Sequence, residues 1–232
     1  MSEVTLASLA RNFGWRIEDD EAVHRVEAVL RNGGRVGLWV DHRDQGDLPW
    51  GVTGRVELLD DPRRLKKEDF EAALVVSHRL VEDEVKGLSY PVAVIRPGNL
   101  ALGLECACEL FLEEVQAGIS QGLRACRLAW DSVAKLATVE GGKGEGALVE
   151  FAERFRLPLE LHSKERIQSV CDLPGAGGSI PGEERDLGRS EAAALLSAGG
   201  SSSRGFVIVP GRRSGRLTLA VAIIRPQRAS EV

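Results

Sequence analysis

The apolar positions of the chain fall into short runs with two alternating periods. Leu6, Leu9, Ala10 and Phe13 recur at i, i+3, i+4 and i+7, which predicts a helix ended by Gly14. A second helix is predicted from Asp19 or Asp20, with Val23, Val26, Val29 and Leu30 on its apolar face and Asn32-Gly33-Gly34 stopping it. Valine-rich runs then read as strands at Val36–Val40, Val56–Leu59, Ala72–Ser77 and Val92–Ile95. Between them, Asp41–Gly51 reads as a loop, Asp60-Asp61-Pro62 as a turn and Lys66–Phe70 as a short helix.

Arg96-Pro97-Gly98-Asn99 is the best boundary: proline restrains the residue before it to extended geometry, and glycine supplies a turn. The division expected is residues 1–96 and 97–232. Beyond it the pattern restarts with a strand at Leu100–Leu104 and a helix carrying Phe111, Val115, Ile119 and Leu123 on one face. Leu148, Phe151, Ala152 and Phe155 mark another helix, Pro158–Leu161 a short strand, and Leu173–Glu184 a glycine- and proline-rich loop. Glu191–Leu196 is an alanine-rich helix. Two final β-runs, Phe206–Val209 and Leu217–Ile224, are joined by a basic turn with Arg212, Arg213 and Arg216. Strands alternate with helices in both halves, so the fold class expected is α/β: two small domains, each a mostly parallel or mixed sheet flanked by helices.

Composition removes several functions without naming one. The net charge of −5 argues against nucleic acid as the main partner, because phosphate binding leaves a basic footprint. A local basic patch for a polycarboxylate stays compatible with it. No apolar run reaches the length of a membrane span, and the N-terminus lacks the basic start and apolar core of a signal peptide, so a cytoplasmic protein is expected. The cysteines are Cys106, Cys108, Cys126 and Cys171; the first two form C-x-C, and neither a second pair nor a nearby histidine completes a zinc site. Reduced, largely buried thiols are expected, and no protein-bound metal.

Two glycine-rich segments invite nucleotide readings and fail them. In Gly141-Gly142-Lys143-Gly144-Glu145-Gly146 the first glycine of a phosphate-binding loop would fall on Ala137 and the hydroxyl residue on Gly144. Pro174-Gly175-Ala176-Gly177-Gly178-Ser179 follows no strong strand and opens no apolar helix, so it is not a dinucleotide fingerprint. Glu105, Cys106, Cys108 and Glu109 lie where a strand gives way to a helix, the usual ligand edge of an open α/β sheet; a carboxylate and a thiol there suit acid–base work, or the glutamates merely favour a helix N-terminus. Gly188-Arg189-Ser190-Glu191 opens the alanine-rich helix, where Ser190 can cap it and free N–H groups can hold an anion.

Taken in order, these segments resemble the CbiG family of cobalt-precorrin-5A hydrolases. Leu9-Ala10-Arg11-Asn12-Phe13-Gly14-Trp15-Arg16-Ile17 is similar to the start of that family's middle domain. Val75-Val76-Ser77-His78-Arg79 and Ile95-Arg96-Pro97-Gly98-Asn99-Leu100 resemble the segments leading into its C-terminal domain. Gly103-Leu104-Glu105-Cys106 stands where the family has G-x-G-C. Leu136-Ala137-Thr138-Val139-Glu140 resembles its L-A-S-I-D run, with Glu145 as the following acid. Ser190-Glu191-Ala192-Ala193-Ala194-Leu195 resembles V-x-E-A-A-A-L, and Val209-Pro210 with Leu217-Thr218-Leu219-Ala220-Val221-Ala222 resembles the closing hairpin. The departures are specific. Glu105 replaces the second glycine of G-x-G-C, Ala107 and Cys108 replace a basic pair, and Glu109 replaces the next glycine. Lys143 falls one place after the family's lysine, and Gly211 replaces the lysine after V-P, with Arg212 following. A family N-terminal domain with a G-G-G-H-G-type segment has no counterpart in this sequence.

The resemblance implies hydrolysis of the δ-lactone of cobalt-precorrin-5A and release of acetaldehyde to give cobalt-precorrin-5B. It implies no cofactor, since cobalt travels with the substrate. Glu105 or Glu145 is the expected general base. Gly103, Cys106, Lys143, Ser190, Glu191, Arg212, Arg213, Arg216 and Thr218 are expected to bind the substrate, the arginines through its acetate and propionate groups. The alternatives are a non-catalytic protein that holds a tetrapyrrole intermediate, or one half of a split enzyme whose N-terminal domain is separately encoded. A homo-oligomer is a further expectation; nucleic acid and membrane are not expected partners.

Overall fold

The computed structural model describes residues 5–41, 55–172, 187–199 and 205–224. Among them the chain divides into two compact units, with the break between Gly98 and Asn99. Each unit is a five-stranded sheet with helices packed on it.

The first unit contains α1 (Leu6–Asn12), β1 (Arg16–Ile17), α2 (Asp20–Arg31), β2 (Arg35–Val40), β3 (Arg55–Leu59), β4 (Ala72–Val76), α3 (Glu82–Val85) and β5 (Val92–Arg96). Its strand order is β1-β5-β4-β2-β3, with β2 to β5 parallel and the short β1 antiparallel to β5. Asp19 caps α2, its carboxylate accepting from the amides of Glu21 and Ala22 at 2.9 and 3.1 Å. The valines read as one helix face, Val23 and Val26, are buried against Val36, Leu38, Val40, Leu74, Val76 and Ile95 of the sheet. On the opposite face Trp39, Leu59, Leu65, Phe70, Val75 and Val81 form a second cluster. Two sequence expectations need correction here. The helix expected over Lys66–Phe70 is instead a 3₁₀ turn over Pro62–Lys66, because Asp61 caps the Arg63 amide and Pro62 is pre-set for a first helical turn. Phe13 lies beyond the end of α1 and is 45% exposed, in contact with the Trp15 ring rather than the core.

The second unit comprises β6 (Leu100–Cys106), α4 (Leu112–Ala125), β7 (Val133–Val139), α5 (Glu145–Phe155), β8 (Leu159–His162), α6 (Lys164–Cys171), α7 (Arg189–Ser197), β9 (Gly205–Ser214) and β10 (Leu217–Ile224). Strand order is β8-β7-β6-β10-β9; β6, β7 and β8 are parallel, while β10 runs antiparallel to both β6 and β9. Helices α4 and α5 cover one face, burying Val115, Ile119, Leu123, Leu148 and Phe151 against Leu102, Leu104, Leu219 and Val221. Helices α6 and α7 cover the other through Ile167, Val170, Ala192, Ala193 and Leu195. Phe111, expected on the buried face of α4, is the extended residue before its first turn and is 76% exposed; Leu112 is buried in its place. Strand β7 and helix α6 had no clear periodic signal: β7 carries Lys135 and Thr138 between its apolar residues, and α6 offers only Ile167 and Val170 to the core.

Alanine and glycine set the distance between α7 and the sheet. Ala101, Ala220 and Ala222 meet Ala194 and Ala198 in one small-residue cluster. A Cβ on Gly103 would stand 1.8 Å from the Ser190 carbonyl oxygen and 2.6 Å from the Ala194 amide nitrogen. No other residue fits there, and this contact brings the first turn of α7 against the carboxyl end of β6.

Candidate active site

The parallel strands of the second unit end on one edge, where β6 stops at Cys106, β7 at Val139 and β8 at His162. Ligands of open α/β sheets bind outside the carboxyl ends of the parallel strands, and here the amino end of the antiparallel β10 adjoins the carboxyl end of β6. Antiparallel pairing sets Thr218 opposite Glu105, and Arg213 opposite Thr218. Directly paired residues share a sheet face, so these three lie side by side. Gly103, two residues before Glu105, faces α7, which puts the group on that side. The Glu105 carboxylate is 40% exposed and 3.7 Å from the Arg189 guanidinium of α7. Glu105, Arg189, Arg213 and Thr218 thus form a partly solvated acid–base group at the mouth of the edge.

Around it runs a tighter layer. The Glu191 carboxylate, 1% exposed, accepts from the amides of Gly188 and Gly211 at 2.7 Å each. It ties the start of α7 to β9 and completes half of a capping box. Gly188, not Ser190, is the residue before α7; Ser190 sits inside the first turn, buried, with its hydroxyl against Gly211. The capping role expected of Ser190 therefore belongs to Glu191, which reaches back from the third helical position.

Cys106 follows Glu105 in the same strand and so projects to the opposite face. It packs in the core with α4 and α5, and a Cβ on Gly144 would stand 2.8 Å from its sulfur. Burial pushes its thiol up to about 11, and the nearby Cys108, Glu109 and Glu105 add to the rise. At neutral pH Cys106 is a protonated packing residue. Glu145 is also removed from the α7 face: at the first position of α5, it accepts from the Gly141 amide at 2.6 Å. Gly144 donates to Glu109 at 3.2 Å and Phe111 to Glu114 at 3.0 Å. The amides that introduce α4 and α5 thus face glutamates of the chain itself, and that charge disfavours a second anion. Lys143 is exposed in the turn before α5.

The three arginines of the closing hairpin do not make one patch. Arg212 and Arg213 belong to β9, not to the turn, and as neighbours in a strand they point to opposite faces. Arg212 approaches the Cys126 sulfur at 3.8 Å; Arg213 donates to the Gly215 carbonyl at 3.0 Å. Arg216, in the turn, reaches Cys108 at 3.5 Å and pairs with Glu114. Its charge lowers the Glu114 pKa further, after the Phe111 amide, the larger cause. Sequence reasoning passed over Arg189 as a binding residue; its place one before Ser190 at the start of an alanine-rich helix was the available signal.

Residues 100–222 match the family described as "Cobalamin synthesis G C-terminus", and residues 5–96 the "Cobalamin biosynthesis central region". The chain belongs to the CbiG family of cobalamin biosynthesis. It is similar to a cobalt-precorrin-5A hydrolase of Priestia megaterium, 25% identical over 219 residues, covering 92% of this chain and 56% of that protein. The chain spans about half the length of that relative. Among solved structures it is similar to cobalamin biosynthesis protein ChiG of Agrobacterium tumefaciens, with 27% identity over 53% of this chain and 96% of that one and a TM-score of 0.44. It is also similar to a cobalamin biosynthesis protein G homolog of Sulfolobus solfataricus, with 15% identity over 97% and 62% of the two chains and a TM-score of 0.45. The CbiG C-terminal match contains every candidate residue from Gly103 to Thr218. Among the described residues no helix is long and apolar enough to cross a membrane, and no group of three His, Cys, Asp or Glu side chains is arranged to hold a metal ion.

Proposed function

We propose that this CbiG chain hydrolyses the δ-lactone of cobalt-precorrin-5A and releases the two-carbon bridge as acetaldehyde, giving cobalt-precorrin-5B. The observation that carries this reading is the juxtaposition of Glu105, Arg189, Arg213 and Thr218 at the carboxyl edge of β6. Its support is that a partly solvated carboxylate, two guanidinium groups and a hydroxyl meet the needs of lactone opening. Glu105 takes a proton from water, whose oxygen attacks the lactone carbonyl. Arg189 balances the negative charge of the tetrahedral intermediate. The ring C–O bond then breaks, the protonated Glu105 returns its proton to the departing oxygen, and the new carboxyl group loses its proton to solvent, leaving a carboxylate and a hydroxyl. Release of acetaldehyde follows as the hydroxyl gives its proton to the Glu105 carboxylate, its carbon becomes a carbonyl, and the C–C bond electrons pass to the macrocycle. Arg213 pairs with a peripheral carboxylate of the substrate. Cobalt enters with the substrate.

A second reading, a protein that holds the intermediate without opening it, is favoured by one observation: the amides at the starts of α4 and α5 face Glu109, Glu114 and Glu145. Anaerobic incubation with cobalt-precorrin-5A separates the two. Acetaldehyde at catalytic levels, reduced at least about tenfold by Glu105→Gln, is the expected result. A spectral shift of the macrocycle with no acetaldehyde, unchanged when the N-terminal region of a longer relative is added, would convert the assignment to binding alone. An unchanged rate in Glu105→Gln would remove that residue from the mechanism.

A further inference from the structure

Two pairing registers meet in β9. On the side of the hairpin turn Arg212 pairs with Leu219 and Arg213 with Thr218. Farther along Val209 pairs with Val221, so Pro210 and Gly211 together oppose the single residue Ala220. This is a β-bulge, a device that re-aims the side chains of a strand. Its position decides which arginine faces α7. If the bulge lay closer to the turn, beyond Arg213, the register of Val209 would continue and set Arg212 opposite Thr218. Arg213 would then turn to the α4 face, where Arg212 now approaches Cys126 at 3.8 Å.

The bulge is pinned from outside the sheet. Pro210 has no N–H to satisfy, and the Gly211 N–H donates to one oxygen of Glu191 at 2.7 Å. The other oxygen accepts at 2.7 Å from Gly188, the residue before Arg189, whose guanidinium stands 3.7 Å from Glu105. Glu191 is 1% exposed. Burying a carboxylate is costly unless hydrogen bonds satisfy it. These bonds go to the main chain at the two points from which the arginines of the site project. Glu191 therefore acts through its neighbours and does not meet a substrate itself.

We propose that Glu191 is a positioning residue for the site at the carboxyl edge of β6. By fixing the bulge it selects Arg213 over Arg212 as the arginine beside Glu105 and Thr218. By fixing the start of α7 it keeps Arg189 there too. The inference rests on the reading of that edge as the substrate site. Its consequence is a specificity: two adjacent arginines are not interchangeable, and the one that binds a peripheral carboxylate depends on a residue that binds none.

The test is an anaerobic stopped-flow spectral titration of the intact chain with cobalt-precorrin-5A, which reads the dissociation constant before turnover. Arg213→Ala should weaken binding about tenfold and Arg212→Ala less than about twofold. Glu191→Gln keeps the side-chain volume but leaves one main-chain amide facing an NH2 group; it should weaken binding about fivefold. In that background Arg213→Ala should add less than about twofold, because the arginine is no longer held at the site. A Glu191 that served folding alone would leave the Arg213 effect intact, so a further loss of about tenfold in the double variant overturns the proposal. So does an Arg212→Ala loss equal to that of Arg213→Ala, which needs no Glu191 variant to fold, or a wild-type chain that does not bind. Acetaldehyde release separates this from the hydrolysis. Selective dependence on Arg213 that Glu191→Gln abolishes, with no acetaldehyde, leaves the positioning role standing and removes the hydrolysis; acetaldehyde with additive losses does the reverse.

Discussion

The carboxyl edges of the parallel strands in the two units are held in opposite ways. In the first unit the residues after β2 and β4 are held by charge: a guanidinium that water does not reach bridges Ser77 and Arg79, and the buried Asp41 carboxylate pairs with Arg79. In the second unit the edge is held by contact: α7 lies so close to β6 that only hydrogen fits on Gly103, and the charged groups sit at the mouth, Glu105 at 40% and Arg189 at 70% exposure. A buried charge pair fixes geometry but makes its members unavailable. A small-residue contact fixes geometry equally well and leaves the carboxylate and guanidinium wet, where they can trade protons and partners. That difference is why the hydrolysis is proposed for the second edge.

The sharpest way to break the second edge is Gly103→Val. Its side chain would meet the Ser190 carbonyl and the Ala194 amide, which are helix backbone and cannot turn aside. Either α7 lifts or β6 bends. A loss of at least about 3 kcal/mol is expected in urea unfolding, followed through Trp130, the second unit's one tryptophan in the sequence. If instead Gly103→Val unfolds within about 0.5 kcal/mol of wild type, close packing is not what holds this edge.

The corresponding change in the first unit is Arg96→Met. It keeps an apolar stem but leaves the carbonyls of Ser77 and Arg79 buried without their donor, while Glu18, 38% exposed, turns to water. A loss of about 2–4 kcal/mol is expected, smaller than the steric clash because only hydrogen bonds and one half-exposed pair are lost. Hydrogen exchange of the β4 and β5 amides reads it within the first unit. Exchange unchanged from wild type would mean that the Arg96 bonds do not hold this edge.

How much of this was legible in the sequence differs between the edges too. The strand that places Glu105, the alanine helix and the closing hairpin all carry strong local patterns, and the resemblance of their order to CbiG proteins gives the family. What the sequence hid is which way side chains point at a strand end. Glu105 and Cys106 are adjacent in sequence and read as one constellation, yet the pleat sends one to the mouth and the other into the core. Arg212 and Arg213 read as one basic turn because β9 was expected to stop at Val209; it runs to Ser214 and separates them. Ser190 looked like a cap because serine favours that position, but Gly188 precedes the first turn and Glu191 supplies the acceptor. The association of Asp41, Ser77 and Arg79 gave no local signal, since it depends on β4 pairing directly with β2, from which β3 separates it in sequence.

The smallest expected effect concerns a partly buried network in the second unit. His162, at the end of β8, stands 3.0 Å from the Ser197 hydroxyl, which donates to Glu160 at 2.6 Å; Lys135 pairs with Glu160 at 2.8 Å. Burial lowers the His162 pKa, helped by Arg166 and Lys135 and only partly offset by Glu160. Burial raises that of Glu160, but Lys135 and Ser197 together outweigh it, and the net shift is downward. Both groups therefore bind protons less readily in the folded chain than in the unfolded one. For a depressed pKa the contribution to stability is complete above the unfolded value and is lost as pH falls through the folded value. His162 should thus begin to weaken the second unit as pH drops below about 6.5, and Glu160 should add to the loss below about 4.5. Urea midpoints followed through Trp130 should fall between pH 7.5 and pH 5.5. His162→Gln, which keeps a polar partner for Ser197 without a titrating ring, should flatten that slope. A slope unchanged in His162→Gln would mean that its protonation contributes nothing to the pH response.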